Sequence, residues 1–258
     1  MRWALLYKPA LALERLVYHN RQRKRRRQLK DTPAEHLRIG EIDSLELLQA
    51  ARLLGIETIY DIGANVGSWT LLAKAIIPAA TIEAFEPLPQ HNASFRTNLL
   101  GVENVSLHSI GLGPANGTGL IRVANFSDAS SFLPNTETNR DHFGIDEVEQ
   151  LSVLVRRLDD YRDEHGLPYP DLIKLDVQGY ELEVLKGGTQ CLRNAKAVLI
   201  EVSFAEYYRG QCFFHDVVSF MANAGLFIGL FGVNTPTGSV LRQTDVLFVR
   251  QAVPTGFE

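Results

Sequence analysis

The chain has 258 residues, 45% hydrophobic and 22% charged, with a formal net charge of −4. That is enough apolar sequence to bury one sizeable core, and nothing in it points to two domains. Two cysteines, Cys191 and Cys212, with no Cys-x-x-Cys and no Cys/His cluster at zinc spacing, indicate neither a disulfide framework nor a structural metal, and they fit a reducing cytoplasm.

Charge is unevenly spread. Residues 1–30 hold ten Lys/Arg against one Glu, a net of +9, whereas residues 31–258 are net −13. Residues 1–43 therefore read as a basic, partly helical extension and residues 44–258 as the functional domain. The first apolar stretch, Trp3 to Tyr7, is five residues long, far below the roughly 18 that a membrane span needs. It is also short for a signal peptide, although Ala10-Leu11-Ala12 loosely resembles a cleavage site, and no secretion is expected. Trp3, Leu6, Ala10, Leu13 and Val17 follow at near-helical spacing, and Arg21 to Arg27 place six charges in seven residues. Three readings stand for this segment: a solvated tail or a helix packed on the domain, peripheral contact with an anionic membrane, or contact with RNA phosphates. The run has no aromatic interleaving and the body is acidic, which places nucleic acid last.

The extension gives way to a helix through Ser44-Leu-Glu-Leu-Leu48, capped by Ser44 or Asp43 and stopped by Gly55. Strand and helix then alternate: Thr58–Asp61 strand, Ser68–Ile77 helix closed by Pro78, Thr81–Phe85 strand, Pro89–Leu100 helix closed by Gly101, Val105–Ile110 strand. Alternation of this kind predicts a parallel sheet with its strand carboxyl ends on one rim, where Asp61 and Glu86 both fall. Between the first strand and its helix lies Asp61-Ile-Gly63-Ala64-Asn65-Val-Gly67. Gly63 and Gly67 lack side chains that would block a ligand's approach, and the following helix offers free backbone N–H groups. Glu86-Pro87, 25 residues after Asp61, sets a carboxylate where it can accept hydrogen bonds from ribose hydroxyls. A dinucleotide turn would read G-x-G-x-x-G; here the spacing is Gly63-x-x-x-Gly67 and the third, helix-packing glycine is missing. That favours S-adenosylmethionine (SAM), whose ammonium end suits Asp61, over NAD. The plainer reading is a structural turn.

Residues 111–150 predict a short hairpin at Thr118–Val123 and a long loop around Ser130-Ser131, and long loops are often functional. Order resumes at Leu151–Val155 and Leu158-Asp159. Leu172–Val177 predicts the fourth parallel strand, Tyr180–Cys191 a helix, and Ala197–Val202 the fifth strand, ending beside Glu201. A helix at Phe214–Asn223, a strand at Phe227–Val233, a turn at Thr235–Gly238 and a strand at Thr244–Val249 close the chain. The whole predicts an α/β fold, a doubly wound sheet of seven strands, mostly parallel with an antiparallel last strand and helices on both faces.

Four blocks in order, Asp61 to Gly67, Glu86-Pro87 with Asn98, Ile173 to Gly187, and Ile200-Glu201 with Gln243-Thr-Asp245-x-x-Phe248, resemble the FkbM family of class I SAM-dependent methyltransferases over roughly residues 55–250. The resemblance implies a Rossmann-like fold, SAM as methyl donor, and O-methylation of a carbohydrate or natural-product hydroxyl. Gln178 departs from it, because the family usually has Glu there. Methyl transfer from a sulfonium is an in-line displacement that needs alignment, and a hydroxyl acceptor also needs a base. Asp176, at the rim, is the first candidate base and a candidate contact to the cofactor's amino group. Lys174, two residues earlier on the same strand face, is either catalytic with it or its buried ion-pair partner. Glu181 either reaches the rim or stabilises a helix dipole, and Glu201 either acts as a base or anchors a loop. His91 and His108 read as packed or surface residues. Asp176, Glu181 and Glu201 together are an oxygen set that suits magnesium, but no spacing compels it and no metal is expected. The rival functions are a nucleic-acid methyltransferase, which would more often carry an Asn-Pro-Pro-aromatic turn, a non-catalytic SAM-binding module, and an NAD oxidoreductase.

Overall fold

A computed structural model describes residues 19–237 and 240–251. The apolar spacing from Trp3 to Val17 lies outside the described residues. Helix α1 covers residues 19–28, and a 3₁₀ turn at Ile39–Ile42 leads into α2 (Leu45–Arg52). The alternating unit follows as β1 (Thr58–Ile62), α3 (Ser68–Ile76), β2 (Thr81–Phe85), α4 (Pro89–Asn98) and β3 (Val105–His108). Next come β4 (Gly111–Leu112), β5 (Gly117–Ala124), α5 (Glu137–Phe143), β6 (Glu147–Arg156), α6 (Leu158–His165) and β7 (Leu172–Leu175). The chain ends with α7 (Glu181–Gly187), α8 (Thr189–Asn194), β8 (Ala197–Ser203), α9 (Phe214–Asn223), β9 (Phe227–Thr237) and β10 (Val240–Val249).

Seven strands form one sheet in the order β3-β2-β1-β7-β8-β10-β9. β1, β2, β3, β7 and β8 pair in parallel, and β10 runs antiparallel to both β8 and β9. This is the expected seven-stranded α/β sheet with an antiparallel last strand. The chain winds outward from β1 to β3 and then returns to β7 on the other side of β1, so the strand order reverses between β1 and β7. In open α/β sheets ligands bind outside the strand carboxyl ends at such a switch point.

Period two divides the sheet into two cores. Ile59, Ile82, Leu172, Leu199 and Leu247 pack with Leu45, Leu47, Leu71, Leu72 and Phe95 of α2, α3 and α4. Tyr60, Ile62, Phe85, Ile173, Val198 and Phe248 pack with Leu158, Leu185, Val217 and Met221 of α6, α7 and α9. By the same alternation Asp61, Lys174, Glu201 and Asp245 fall on the first of these faces, at the rim.

Four local expectations need correction. The expected third strand stops at His108, and Gly111-Leu112 joins a separate sheet of order β4-β6-β5. The expected hairpin at Thr118–Val123 is one strand, β5, paired antiparallel with β6. The expected helix over Tyr180–Cys191 is broken at Gly187-Gly188 into α7 and α8; a Cβ on Gly187 would sit 2.1 Å from the Gly113 carbonyl oxygen, so two backbones meet there. The turn at Thr235–Gly238 is displaced, since β9 continues through Thr237 and Gly238 lies outside the described residues. Ser44 precedes α2 as expected, but its hydroxyl makes no cap and donates instead to Asp245.

The basic extension, where described, is packed on the domain. Leu29, Ala34 and Leu37 join the α2/α3 core. Arg25 is 2% exposed; its Nε donates to Glu46 Oε1 at 2.8 Å, its Nη2 pairs with the other Glu46 oxygen, and its Nη1 lies 3.6 Å from Asp43.

Candidate active site

The loop after β1 is held by backbone contacts that only some residues allow. Gly63 has φ +79°, and a Cβ there would lie 1.9 Å from the Asp176 carbonyl oxygen, so the β1 and β7 loops touch through it. Gly63 and Ala64 donate to the Phe85 carbonyl at 3.0 and 3.1 Å. Asn98 Nδ2 on α4 donates to the Val66 carbonyl at 2.9 Å. Gly67 has φ +88°, and the space its Cβ would need is filled by Leu99 and Phe95. Gly67 thus supplies the helix-packing glycine that the spacing seemed to lack, and it faces α4 rather than a ligand.

Three cavities meet above the rim, all lined by Asp128 and Gln178. The first lies over β2 and is walled by Gly63, Asn65, Glu86, Pro87, Leu112 and Phe132. Glu86 is 5% exposed, and its carboxylate accepts from Asn65 N at 3.0 Å and Leu88 N at 2.8 Å, with His91 Nδ1 3.4 Å away. Its orientation is fixed before any ligand arrives. The second, a carboxylate-lined cavity of about 1090 Å³, holds Glu41, Asp43, Lys174, Asp176, Glu201 and Asp245, together with Ala64 and Asn65. The third, of about 710 Å³, is aromatic and shares Glu201 with the second.

Asp61 is wholly buried and lines none of these cavities. It accepts from Thr70 Oγ1 at 2.6 Å and lies 3.3 Å from Lys174 Nζ, its directly paired neighbour across β1 and β7. Its Oδ2 is taken by Thr70, while Oδ1, 3.3 Å from Lys174 Nζ, makes no hydrogen bond. Asn65 Oδ1 is a second buried acceptor without a hydrogen-bond partner, and its residue, unlike Asp61, lines the first two cavities.

Lys174 is buried between two carboxylates. It is 4% exposed, donates to the Gly63 carbonyl at 3.0 Å and lies 3.8 Å from Asp176. Burial disfavours its charge, but Asp61 and Asp176 outweigh burial and raise its pKa, so it stays an ammonium. Asp176 is 39% exposed at its side chain, lines the first two cavities, and accepts from Gln178 Nε2 at 2.7 Å. Glu201 pairs in register with Asp245 across β8 and β10. Burial, then the charges of Asp176, Asp245 and Glu181, push the Glu201 carboxyl well above its usual range. Burial likewise pushes Asp245 up to about 6, against the hydroxyl of Ser44 that donates to it.

Glu181 is not brought to the cavities. It is 3% exposed, and its Oε1 accepts from Val177 N at 3.1 Å and Gly179 N at 3.0 Å, clamping the turn after β7; burial is the main cause of its raised pKa. His108 is packed against Phe85 and bonded to Glu83 and Tyr161. No cluster of ligating side chains that could hold a metal occurs among the described residues.

Two site residues that the sequence named only as parts of motifs owe their place to the fold. Asp245 reaches Glu201 only through strand pairing. Gln178 sits at φ +56°, with its side chain bridging Asp176 and the Tyr208 hydroxyl, 2.9 Å from Oε1, and its carbonyl accepting from Ser131.

Residues 61–226 match the methyltransferase FkbM domain. The chain is similar to the 2-O-methyltransferase NoeI of Sinorhizobium fredii, 32% identical over 59% of this chain and 66% of that one. It is also similar to the 31-O-demethyl-FK506 methyltransferase FkbM of Streptomyces tacrolimicus, 27% identical over 51% and 59% of the two chains. The hexuronic acid methyltransferase AglP of Haloferax volcanii is 25% identical over 57% and 56%. The matched segment spans less than two thirds of each of these relatives.

Proposed function

The chain belongs to the FkbM methyltransferase family, and from that premise we propose that it methylates a hydroxyl of a carbohydrate or small natural product, with SAM as the donor. The observation that carries this is the junction of a Glu86-walled cavity with a carboxylate-lined one over the switch point. The residues fit the cofactor. The preset Glu86 carboxylate suits a ribose diol, Ile110, Leu112 and Phe132 offer apolar walls for a purine, and the orphaned Asn65 Oδ1 suits an ammonium. When bound, SAM supplies an electrophilic methyl group. The protein's part is to align the acceptor and take its proton.

Two carboxylates face that space. Asp176, oriented by Gln178 and Lys174, is the first base; Glu201, between the second and third cavities, is the other, and its raised pKa makes it the stronger one once ionised. The two differ in their pH profile: a rate limb well above the usual carboxylate range, lost in Glu201→Gln, marks Glu201, whereas a limb kept in that variant and lost in Asp176→Asn marks Asp176. Glu181 and Lys174 are proposed as positioning residues. The NoeI and AglP names, a 2-O-methyltransferase and a hexuronic acid methyltransferase, support a sugar hydroxyl as acceptor.

The test begins with calorimetry of SAM against wild type and Glu86→Ala, with NAD as control. Micromolar binding lost in the variant, followed by transfer of labelled methyl to a glycan fraction, is the expected result. NAD binding without SAM binding would sink the reading, and SAM binding without any methylated product would favour a binding module.

We also propose that α1 meets an anionic membrane surface. Arg23, Lys24, Arg26 and Arg27 remain exposed while Arg25 is withdrawn into its ion pair, and RNA is the lesser reading. No helix among the described residues is long and apolar enough to cross a membrane.

A further inference from the structure

The aromatic cavity beyond Gln178 is left over once the cofactor is assigned to the first two. Its polar lining is incompletely satisfied: Asn139 and Tyr207 are each 2% exposed, and neither Asn139 Nδ2 nor the Tyr207 hydroxyl makes a hydrogen bond of good geometry, their nearest polar side chains being Tyr208 and Arg242. A buried donor without a partner destabilises the fold, and native chains keep few of them. Both backbones are held in place. Thr136 accepts from Asn139 N at 3.2 Å and donates to the Tyr207 carbonyl at 2.9 Å, tying α5 to the loop after β8. At the mouth, Phe126 is 49% and Phe143 40% exposed, and Phe143 stands edge-on to Tyr207 at 5.5 Å. Exposed rings above buried amide and hydroxyl groups suit a molecule with an apolar C–H face and a hydroxyl edge, which is the chemistry of a pyranose.

Charge narrows the class. Asp128 and Glu201 line the cavity, and among the described residues no Lys or Arg does; Arg242 lies near Tyr207 without lining it. A carboxylate-bearing sugar would meet the Asp128 carboxylate there and no lining cation to pair with it. Glu201 also lines the carboxylate cavity, so a hydroxyl directed at it reaches the space where methyl transfer is proposed.

We propose that this cavity is the acceptor subsite and that it takes one uncharged or amino-substituted pyranose ring, its hydroxyls read by Asn139 and Tyr207 and its C–H face covered by Phe126 and Phe143. Its role as acceptor subsite rests on the methyltransferase reading; its capacity to bind the ring does not.

The test is saturation-transfer NMR with calorimetry on the full chain, with and without S-adenosylhomocysteine. The probes are the methyl pyranosides of gluco, galacto and manno configuration, methyl glucosaminide and methyl glucuronide. At least one uncharged or amino probe is expected to bind, with the glucuronide at least about tenfold weaker, and Tyr207→Phe is expected to weaken binding by about tenfold, one hydrogen bond's worth. Tyr207→Phe keeps the ring, so folding is preserved, and Phe126→Ala at the exposed mouth gives a second variant expected to weaken binding. Binding of no probe, preference for the glucuronide, or wild-type affinity in both variants overturns the subsite. Sugar binding without S-adenosylhomocysteine binding upholds the subsite and defeats the cofactor reading, and the reverse result does the opposite.

Discussion

Lys174 and Asp61 show how a single pair can be half legible. Period two puts Lys174 and Asp176 on one strand face from the sequence alone, but Asp61 becomes the partner of Lys174 only through the register of β1 on β7. Replacing Lys174 by Met would strand a wholly buried carboxylate, a change worth about 3–5 kcal/mol. Urea unfolding is expected to show that loss, and an unchanged midpoint would contradict the pairing. Asp245 offers a pH test. Its pKa is raised to about 6 in the folded chain from about 3.9 when unfolded, so between those values the folded state holds the extra proton. Stability from this group is present at low pH and falls as pH rises through about 4 to 6. Asp245→Asn is therefore expected to raise stability at pH 7 by about 1–2 kcal/mol and to flatten that part of the wild-type profile. A variant equal to or less stable than wild type at pH 7 would contradict the buried setting of Asp245 near Asp176 and Asp43.

The elements were read best where alternation was clean and worst where two backbones meet. β1, β2, β7 and β8 announce themselves as apolar runs between helices. β6 does not, because Glu147-Val-Glu-Gln is polar on both faces and mostly exposed, and its partner β5 opens on Gly117-Thr-Gly119. The SAM-type loop was visible as spacing, yet the duties of its two glycines were not. Gly63→Ala would drive a Cβ into the Asp176 carbonyl at a positive φ; the backbone strain alone costs about 1–3 kcal/mol, and cofactor affinity is expected to fall with it. Gly67→Ala would instead push on Leu99 and Phe95. It is expected to lower Tm while SAM affinity measured well below the new Tm changes less than in Gly63→Ala. Equal affinity losses in the two variants would show that both glycines face the ligand.

At the scale of the whole molecule the question is where the domain begins. Composition alone separates a basic segment from an acidic body, and it cannot say that one of those cations is spent on folding. Arg25 is, through its two-pronged pair with Glu46 and its contact with Asp43, while Leu29, Ala34 and Leu37 extend the α2/α3 core. The side chains of Glu46 and Asp43 are 36% and 41% exposed, so water would partly replace Arg25, and its removal is worth less than a fully buried pair, about 1–3 kcal/mol. Deleting residues 1–30 adds the loss of Leu29 and is expected to lower Tm by several degrees, at about 2–4 °C per kcal/mol for a domain of this size. Replacing Arg23, Lys24, Arg26 and Arg27 by Gln removes exposed charge and one long contact, from Arg26 Nη1 to the Leu37 carbonyl at 3.4 Å. It is expected to leave Tm nearly unchanged and to abolish binding to vesicles containing phosphatidylserine, each charge near an anionic surface being worth about 1 kcal/mol. The two functions of the segment would then be separated, a helix that completes the fold and a charged face that meets a membrane. Vesicle binding that survives the four substitutions would remove the second, and a deletion that leaves Tm untouched would remove the first.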